Sequence, residues 1–274
     1  MTRSRQHGAA LLVMLIILIT GGAYLLVSQL NRASGRSEAD RQTSEALAMA
    51  KEALIGRAAS DDNRPGEMPC PDVDNDGQLT IGIDWGGGGV CTSLLGRLPW
   101  RTLDLPDLRD GHGERLWYAV SPDFRANAAA QLNSDRNGQI TVRDPAGTVV
   151  LNGANQSAAI AVVFSPGPVI TRQGAALPQD RSCVVGVNCD IAGMCTTTPP
   201  TLTPRCNPVS YLDIITGTED NADFVAGSSA NGFISGEIRD PADPSNLLVN
   251  DRISVIAHDD LFRTVELRIA NDAR

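Results

Sequence analysis

Apolar positions crowd into one block near the start of the chain and afterwards break into short, punctuated runs. Residues 9–30 hold 22 positions without an Asp, Glu, Lys, Arg or His, beginning Ala9-Ala10-Leu11-Leu12-Val13-Met14-Leu15. As a helix rising about 1.5 Å per residue, the block would span roughly 33 Å, enough for a bilayer core. A short basic leader with Arg3 and Arg5 precedes it. The positive-inside bias therefore predicts the leader in the cytoplasm and everything after Leu30 outside.

Over residues 31–59 the pattern changes to a stripe. Ala39, Ala46, Leu47, Ala50, Ala53, Leu54 and Ala58 recur at three- and four-residue steps. Arg36, Glu38, Asp40, Arg41, Glu45, Lys51, Glu52 and Arg57 occupy the other faces. This predicts an amphipathic continuation of the helix, with room for a bend at the polar residues 31–35. The helix should stop near Ser60, because Asp61-Asp62-Asn63-Arg64-Pro65-Gly66 is turn chemistry.

The remainder reads as short strands. Residues 114–121 alternate so that Trp117 and Val120 fall on opposite faces, as do Tyr118 and Ala119, which predicts a central strand covered on both sides. Residues 158–164 form a second buried strand, stopped by Ser165-Pro166-Gly167-Pro168. Residues 140–143 and 148–151, joined by Asp144-Pro145-Ala146-Gly147, read as a hairpin. Residues 233–238 and 251–257 suggest further strands. Asp259 is the expected N-cap of a last helix, with Leu261, Phe262, Val265 and Ile269 near one face. There are no internal repeats. The expected fold class is α+β: a long N-terminal helix, membrane-spanning in its first half, packed on an antiparallel sheet head with disulfide-braced loops.

Composition narrows the function. The 274 residues carry a net charge of −9, which argues against nucleic acid as a partner, since phosphate binding needs a basic face. Gly 26 and Pro 16 fit many turns between short strands, and with aromatics at 4% the core must come from aliphatic residues. Six cysteines, Cys70, Cys91, Cys183, Cys189, Cys195 and Cys206, lie beyond the apolar block, and an even number in an exported region reads as disulfides. Cys70 and Cys91 bracket one loop. The other four allow three pairings, of which Cys183–Cys189 with Cys195–Cys206 is preferred on proximity alone. Their spacings fit no common zinc knuckle.

The bracketed loop carries the most distinctive chemistry. Asp72-Val73-Asp74-Asn75-Asp76-Gly77-Gln78 matches the opening of an EF-hand-type calcium loop, with alternate carboxylates converging on a hard cation and a glycine permitting the sharp turn. Gln78 would offer its carbonyl. Ile83 stands where the closing bidentate Glu belongs, and Asp84 would have to close a looser loop. The same residues also make an ordinary acidic turn. With no nucleophile or base beside it, a calcium ion here would rigidify the loop. Nothing predicts an enzyme. His112 sits in a Gly-flanked turn and His258 at the start of a helix. The chain has no Gly-x-Ser-x-Gly elbow, His-Glu-x-x-His motif or phosphate-cradling loop.

The N-terminus, Arg5-Gln6-His7-Gly8-Ala9-Ala10-Leu11-Leu12-Val13, resembles a type IV prepilin signal, in which the small-residue junction comes before the apolar run. In type IV pilins and type II secretion pseudopilins a prepilin peptidase cuts after the glycine and methylates the new N-terminus. The resemblance implies those roles for Gly8 and Ala9. Most members carry Glu at the fifth mature residue; Val13 departs from this and points to a minor, tip-placed subunit. Met68-Pro69-Cys70-Pro71-Asp72 and Leu98-Pro99-Trp100-Arg101-Thr102-Leu103 resemble paired blocks in a subgroup of minor pilin-like proteins. The resemblance covers the N-terminal half well and the C-terminal half weakly.

It implies a leader over residues 1–8, a transmembrane and filament-core helix over 9–30, its amphipathic continuation over 31–59, and a periplasmic head over 60–274. It also implies a single-pass inner-membrane placement, with other pilin or pseudopilin subunits, the peptidase and the inner membrane as partners. The first alternative is a membrane-tethered periplasmic, calcium-binding module that never joins a filament. The second, a tethered hydrolase, would need His112 or His258.

Overall fold

The computed structural model describes residues 6–86, 89–126, 135–152, 158–171, 177–181, 207–215, 219–224 and 232–272. Cys183, Cys189, Cys195 and Cys206, and with them the two proposed pairings, lie outside the described residues.

Helix α1 runs Gln6–Ser60 without interruption, through the stretch that offered a bend. After it come β1 (Trp85–Gly86), β2 (Val90–Cys91), β3 (Leu95–Arg97), β4 (Trp117–Val120), β5 (Val142–Arg143), β6 (Val149–Leu151) and β7 (Ala159–Ser165). Then follow β8 (Ile214–Ile215), β9 (Glu219–Asp220), β10 (Phe233–Ile234), β11 (Ile238–Arg239), β12 (Leu247–Val249), β13 (Arg252–Ala257) and α2 (His258–Asp272). The central sheet is antiparallel, in the order β13-β7-β4-β3. Beside it stand a three-stranded sheet, β10-β5-β6, and three two-stranded ribbons, β1-β2, β8-β9 and β11-β12.

Two parts of the expected fold need correction. The head is built on several sheets rather than one, and β10 pairs parallel with β5. Among the described residues no helix is long and apolar enough to cross a membrane, so neither the membrane-spanning first half nor the single-pass inner-membrane placement is supported. The strictly apolar run of α1 ends at Ile19, where Thr20, Gly21 and Gly22 follow, and Thr20 Oγ1 donates back to the Ile16 carbonyl at 2.8 Å.

The stripe on the second half of α1 packs as its spacing predicts. Ala46, Leu47, Ala50, Leu54 and Ala58 are buried with Leu116, Tyr118, Val120 and Ile160, and with Leu261, Phe262 and Val265 of α2. Small residues let the helix lie close to the sheet, and fully burying Leu54 contributes about 2 kcal/mol. The other face of the central sheet presents Trp117, Ala119, Val162 and Phe164 to Ile140, Val142 and Phe233. Phe164 and Phe233 meet edge to face at 4.8 Å. β4 is therefore covered on both sides, and β7 is buried along its whole length.

Three local expectations shift for identifiable reasons. The predicted strand over 233–238 is cut into β10 and β11 because Gly236 adopts φ +129, outside strand geometry. α2 starts at His258, not after Asp259. It is Asp260 whose Oδ2 accepts the Ala257 N–H at 3.1 Å, the reach-back of a capping box. Ile269 is exposed: the apolar contacts of α2 with the core come from Leu261, Phe262 and Val265, and its last turns reach α1 through Arg268, which donates to the Ala59 carbonyl.

Candidate functional site

The loop between Cys70 and Cys91 is held to the sheet before any ligand is considered. The two cysteines form a disulfide with Cα atoms 5.3 Å apart, as their bracketing positions suggest. Met68 N–H donates to the Phe124 carbonyl at 2.8 Å, and Tyr118 Oη donates to the Pro69 carbonyl at 3.2 Å. Asp72 and Arg97 then exchange backbone hydrogen bonds at 2.9 and 2.7 Å, which lays the loop along β3. Gly96 is needed there: a Cβ would stand 2.7 Å from the Asp72 carbonyl oxygen.

From that anchor the loop folds around its own carboxylates. Asp72 accepts from Asn75 N–H at 2.6 Å and Gly77 N–H at 2.7 Å. Asp84 accepts from Val73 N–H at 2.7 Å and Thr80 N–H at 2.8 Å. Asn75 and Gly77 both take positive φ, 64 and 83, which Asn tolerates and Gly permits freely. Asp72, Asp74 and Asp84 are all buried, and one oxygen from each lies within 4.8 Å of the others. Two oxygens held about 2.4 Å from one calcium ion are at most about 4.8 Å apart, so the triad has the spread a hard cation needs.

Of the five residues named from sequence, the structure thus brings three together. Asp76 is outside the triad, its Oδ1 turned to the Gln78 N–H at 2.6 Å, and Gln78 is exposed. Asp84 does close the loop, from a position no EF-hand spacing specifies.

Burial pushes the Asp72 carboxyl up to about 8; Asp84 and Asp74 push the same way, while the hydrogen bond from Gly77 opposes. Burial likewise raises Asp84, against the bonds from Val73 and Thr80. A carboxyl raised above its ordinary 3.8 makes the protonated form the one favoured by the fold. Its contribution to stability is complete below about pH 4 and is lost as pH rises to about 8. Cation-free protein, kept in chelator, should therefore melt lower at about pH 8 than at about pH 5, and Asp72→Asn should flatten that difference. Asp251, raised by burial and by Asp213, adds the same sign to both proteins and cancels in the comparison. A slope equal to wild type in Asp72→Asn would show that Asp72 does not hold its proton in the fold.

Two further polar residues organise the neighbourhood, and neither was assigned a role from sequence. Arg97 is buried with its guanidinium 4.2 Å from the Trp117 ring and 4.1 Å from the Tyr211 ring, and its Nη1 donates to the Arg115 carbonyl at 2.7 Å. Burial pulls it down to about 10. Asp110, also fully buried, accepts four hydrogen bonds. His112 and Glu114 N–H reach Oδ1, both at 2.9 Å, while Ser165 Oγ and Gly167 N–H reach Oδ2 at 2.8 and 3.0 Å. The Asp-Gly-His-Gly turn was the available signal for Asp110. Nothing local marks Arg97, because its aromatic partner Tyr211 comes from a distant segment. His112 presents an exposed ring, and His258 lies against Phe262 with centroids 4.4 Å apart.

Comparison with known protein families, with curated proteins and with solved structures finds no match.

Proposed function

We propose that the chain is a minor pilin- or pseudopilin-type structural subunit of a type IV pilus or type II secretion filament, processed at Gly8 and Ala9. The observation that carries this reading is the split character of α1. Its second half is fixed to the head by apolar packing, while Leu12, Val13, Met14, Leu15, Ile16, Ile17, Leu18 and Ile19 are each half or more exposed. Consecutive exposed apolar residues leave a helix apolar on every side. Such a helix is stable when several neighbours surround it, not when one face is covered. Burying each of these side chains contributes about 1.5–3 kcal/mol, enough to drive a bundle of equivalent helices from several subunits. Calcium at Asp72, Asp74 and Asp84 serves this subunit as a loop brace.

The test is a mass analysis of the N-terminal peptide of the protein from its native cells. A start at N-methylated Ala9, abolished by Gly8→Val, is the expected result. A start at Met1 or Thr2 that is indifferent to Gly8 would sink the proposal.

A further inference from the structure

Where α1 passes over the head, the structure contains a cavity of about 430 Å³ that the filament reading does not use. This is within the size range of small-molecule clefts, about 300–1,000 Å³. Its walls come from α1, the 110–113 turn, the segment after β7, and the β11-β12 ribbon with the chain that follows it. The floor is fixed in advance. Thr43 Oγ1 donates to the Ala39 carbonyl at 2.9 Å, Ser165 is committed to Asp110, and Asn250 Nδ2 donates to the Pro168 carbonyl at 2.6 Å. The last bond sets the orientation of a side chain only 5% exposed, and its Oδ1 receives no hydrogen bond.

The charge around this floor is unusual for a chain of net −9. Three guanidiniums line the cavity, Arg36, Arg239 and Arg252, together with the exposed ring of His112. Arg252 is paired to Asp40 at 3.1 Å and Arg239 to Glu237 at 3.1 Å at the exposed rim, and each guanidinium keeps donors to spare. Arg36 stands exposed with no carboxylate partner among the described residues.

We infer that this cavity is a binding site for a small hydroxylated carboxylate, of the uronic-acid type. Guanidinium forks match a planar carboxylate. Asp40 and Glu237 at the same rim repel a compact polyanion, and they accept hydrogen bonds from hydroxyls. Ala39, Pro168 and Leu247 give the apolar surface on which a sugar ring rests. The site is independent of assembly, since its walls all belong to one head and the helix fixed to it.

The full chain, titrated with D-glucuronate and followed by calorimetry or ligand-observed NMR, tests this. The expected result is saturable binding with Kd at or below about 1 mM, weakened about tenfold in Arg36→Gln and in Arg239→Gln. Because Arg36 makes no ion pair or side-chain hydrogen bond among the described residues, that variant should keep the melting temperature of the wild type. D-Glucose, which lacks the carboxylate, and inorganic phosphate, which lacks the ring hydroxyls, should each bind at least about tenfold more weakly. Absence of saturable glucuronate binding, or equal binding by both variants, would overturn the site. Phosphate or glucose binding as tightly as glucuronate would overturn its ligand class.

Discussion

Replacing Asp110 with alanine is expected to lower the free energy of unfolding by about 4 kcal/mol. The side chain is fully buried, and its two oxygens hold four donors from segments more than fifty residues apart in sequence. Alanine leaves three backbone N–H groups and one hydroxyl without their acceptor. Each buried orphan costs about 1–3 kcal/mol, reduced where water can enter beside it. Asparagine should recover little, because its amide NH₂ would face two of the donors. Urea unfolding with an unchanged slope is the measurement, so that the shift in midpoint reports stability alone. A loss under about 1 kcal/mol would mean that water replaces the carboxylate, and Asp110 would no longer count as the hub of the turn.

One residue further on, Gly111→Ala is expected to cost about 3 kcal/mol and to loosen α1 from the head. A Cβ at this position would sit 2.1 Å from the Ala39 carbonyl oxygen and 2.4 Å from its Cα. Both partners are backbone, one in a helix and one in a turn pinned by Asp110, so neither can swing aside as a flexible side chain could. The move would also strain the bond from Gly111 N–H to Thr43 Oγ1, now 3.0 Å. Gly113 is the matched control. It adopts φ +84 but has open space around it, so alanine there meets only backbone strain of about 1–2 kcal/mol. Hydrogen exchange should separate the two cases. Gly111→Ala should raise exchange along residues 39–50 of α1, and Gly113→Ala should leave that stretch protected. Equal protection in both would show that the helix is not held through this contact.

The parts of the fold that were legible in the sequence are those fixed by neighbours in the chain. The end of α1 at Ser60 follows from a cluster of turn residues, and its apolar stripe from simple periodicity. The β5–β6 hairpin follows from Asp144 to Gly147, where Gly147 takes φ +80 and its N–H donates to the Asp144 carbonyl at 2.9 Å. What stayed hidden depends on partners far away. β10 finds β5 in parallel across ninety residues, which no local pattern encodes. The acidic triad recruits Asp84 through bonds from Val73 and Thr80, while Asp76, better placed by motif spacing, stays outside it and accepts from the Gln78 N–H. The first half of α1 misled in a different way. Absence of charge is not the same as high hydropathy: Thr20, Gly21 and Gly22 interrupt the apolar run, and among the described residues no helix is long and apolar enough to cross a membrane.

The reciprocal bonds between Asp72 and Arg97 have a consequence for how copies of this molecule can meet. β3 is an outer strand of the central sheet, and an outer strand ordinarily offers a row of unused backbone groups to any extended chain nearby. Here the disulfide-closed loop occupies that row at Arg97. On the opposite margin, Lys51 of α1 donates to the Val255 carbonyl of β13 at 2.8 Å. With both margins partly occupied, edge-to-edge pairing of central sheets from different copies is discouraged. The proposed assembly would then have to run through the exposed apolar side chains of residues 12–19 of α1 rather than through the sheet.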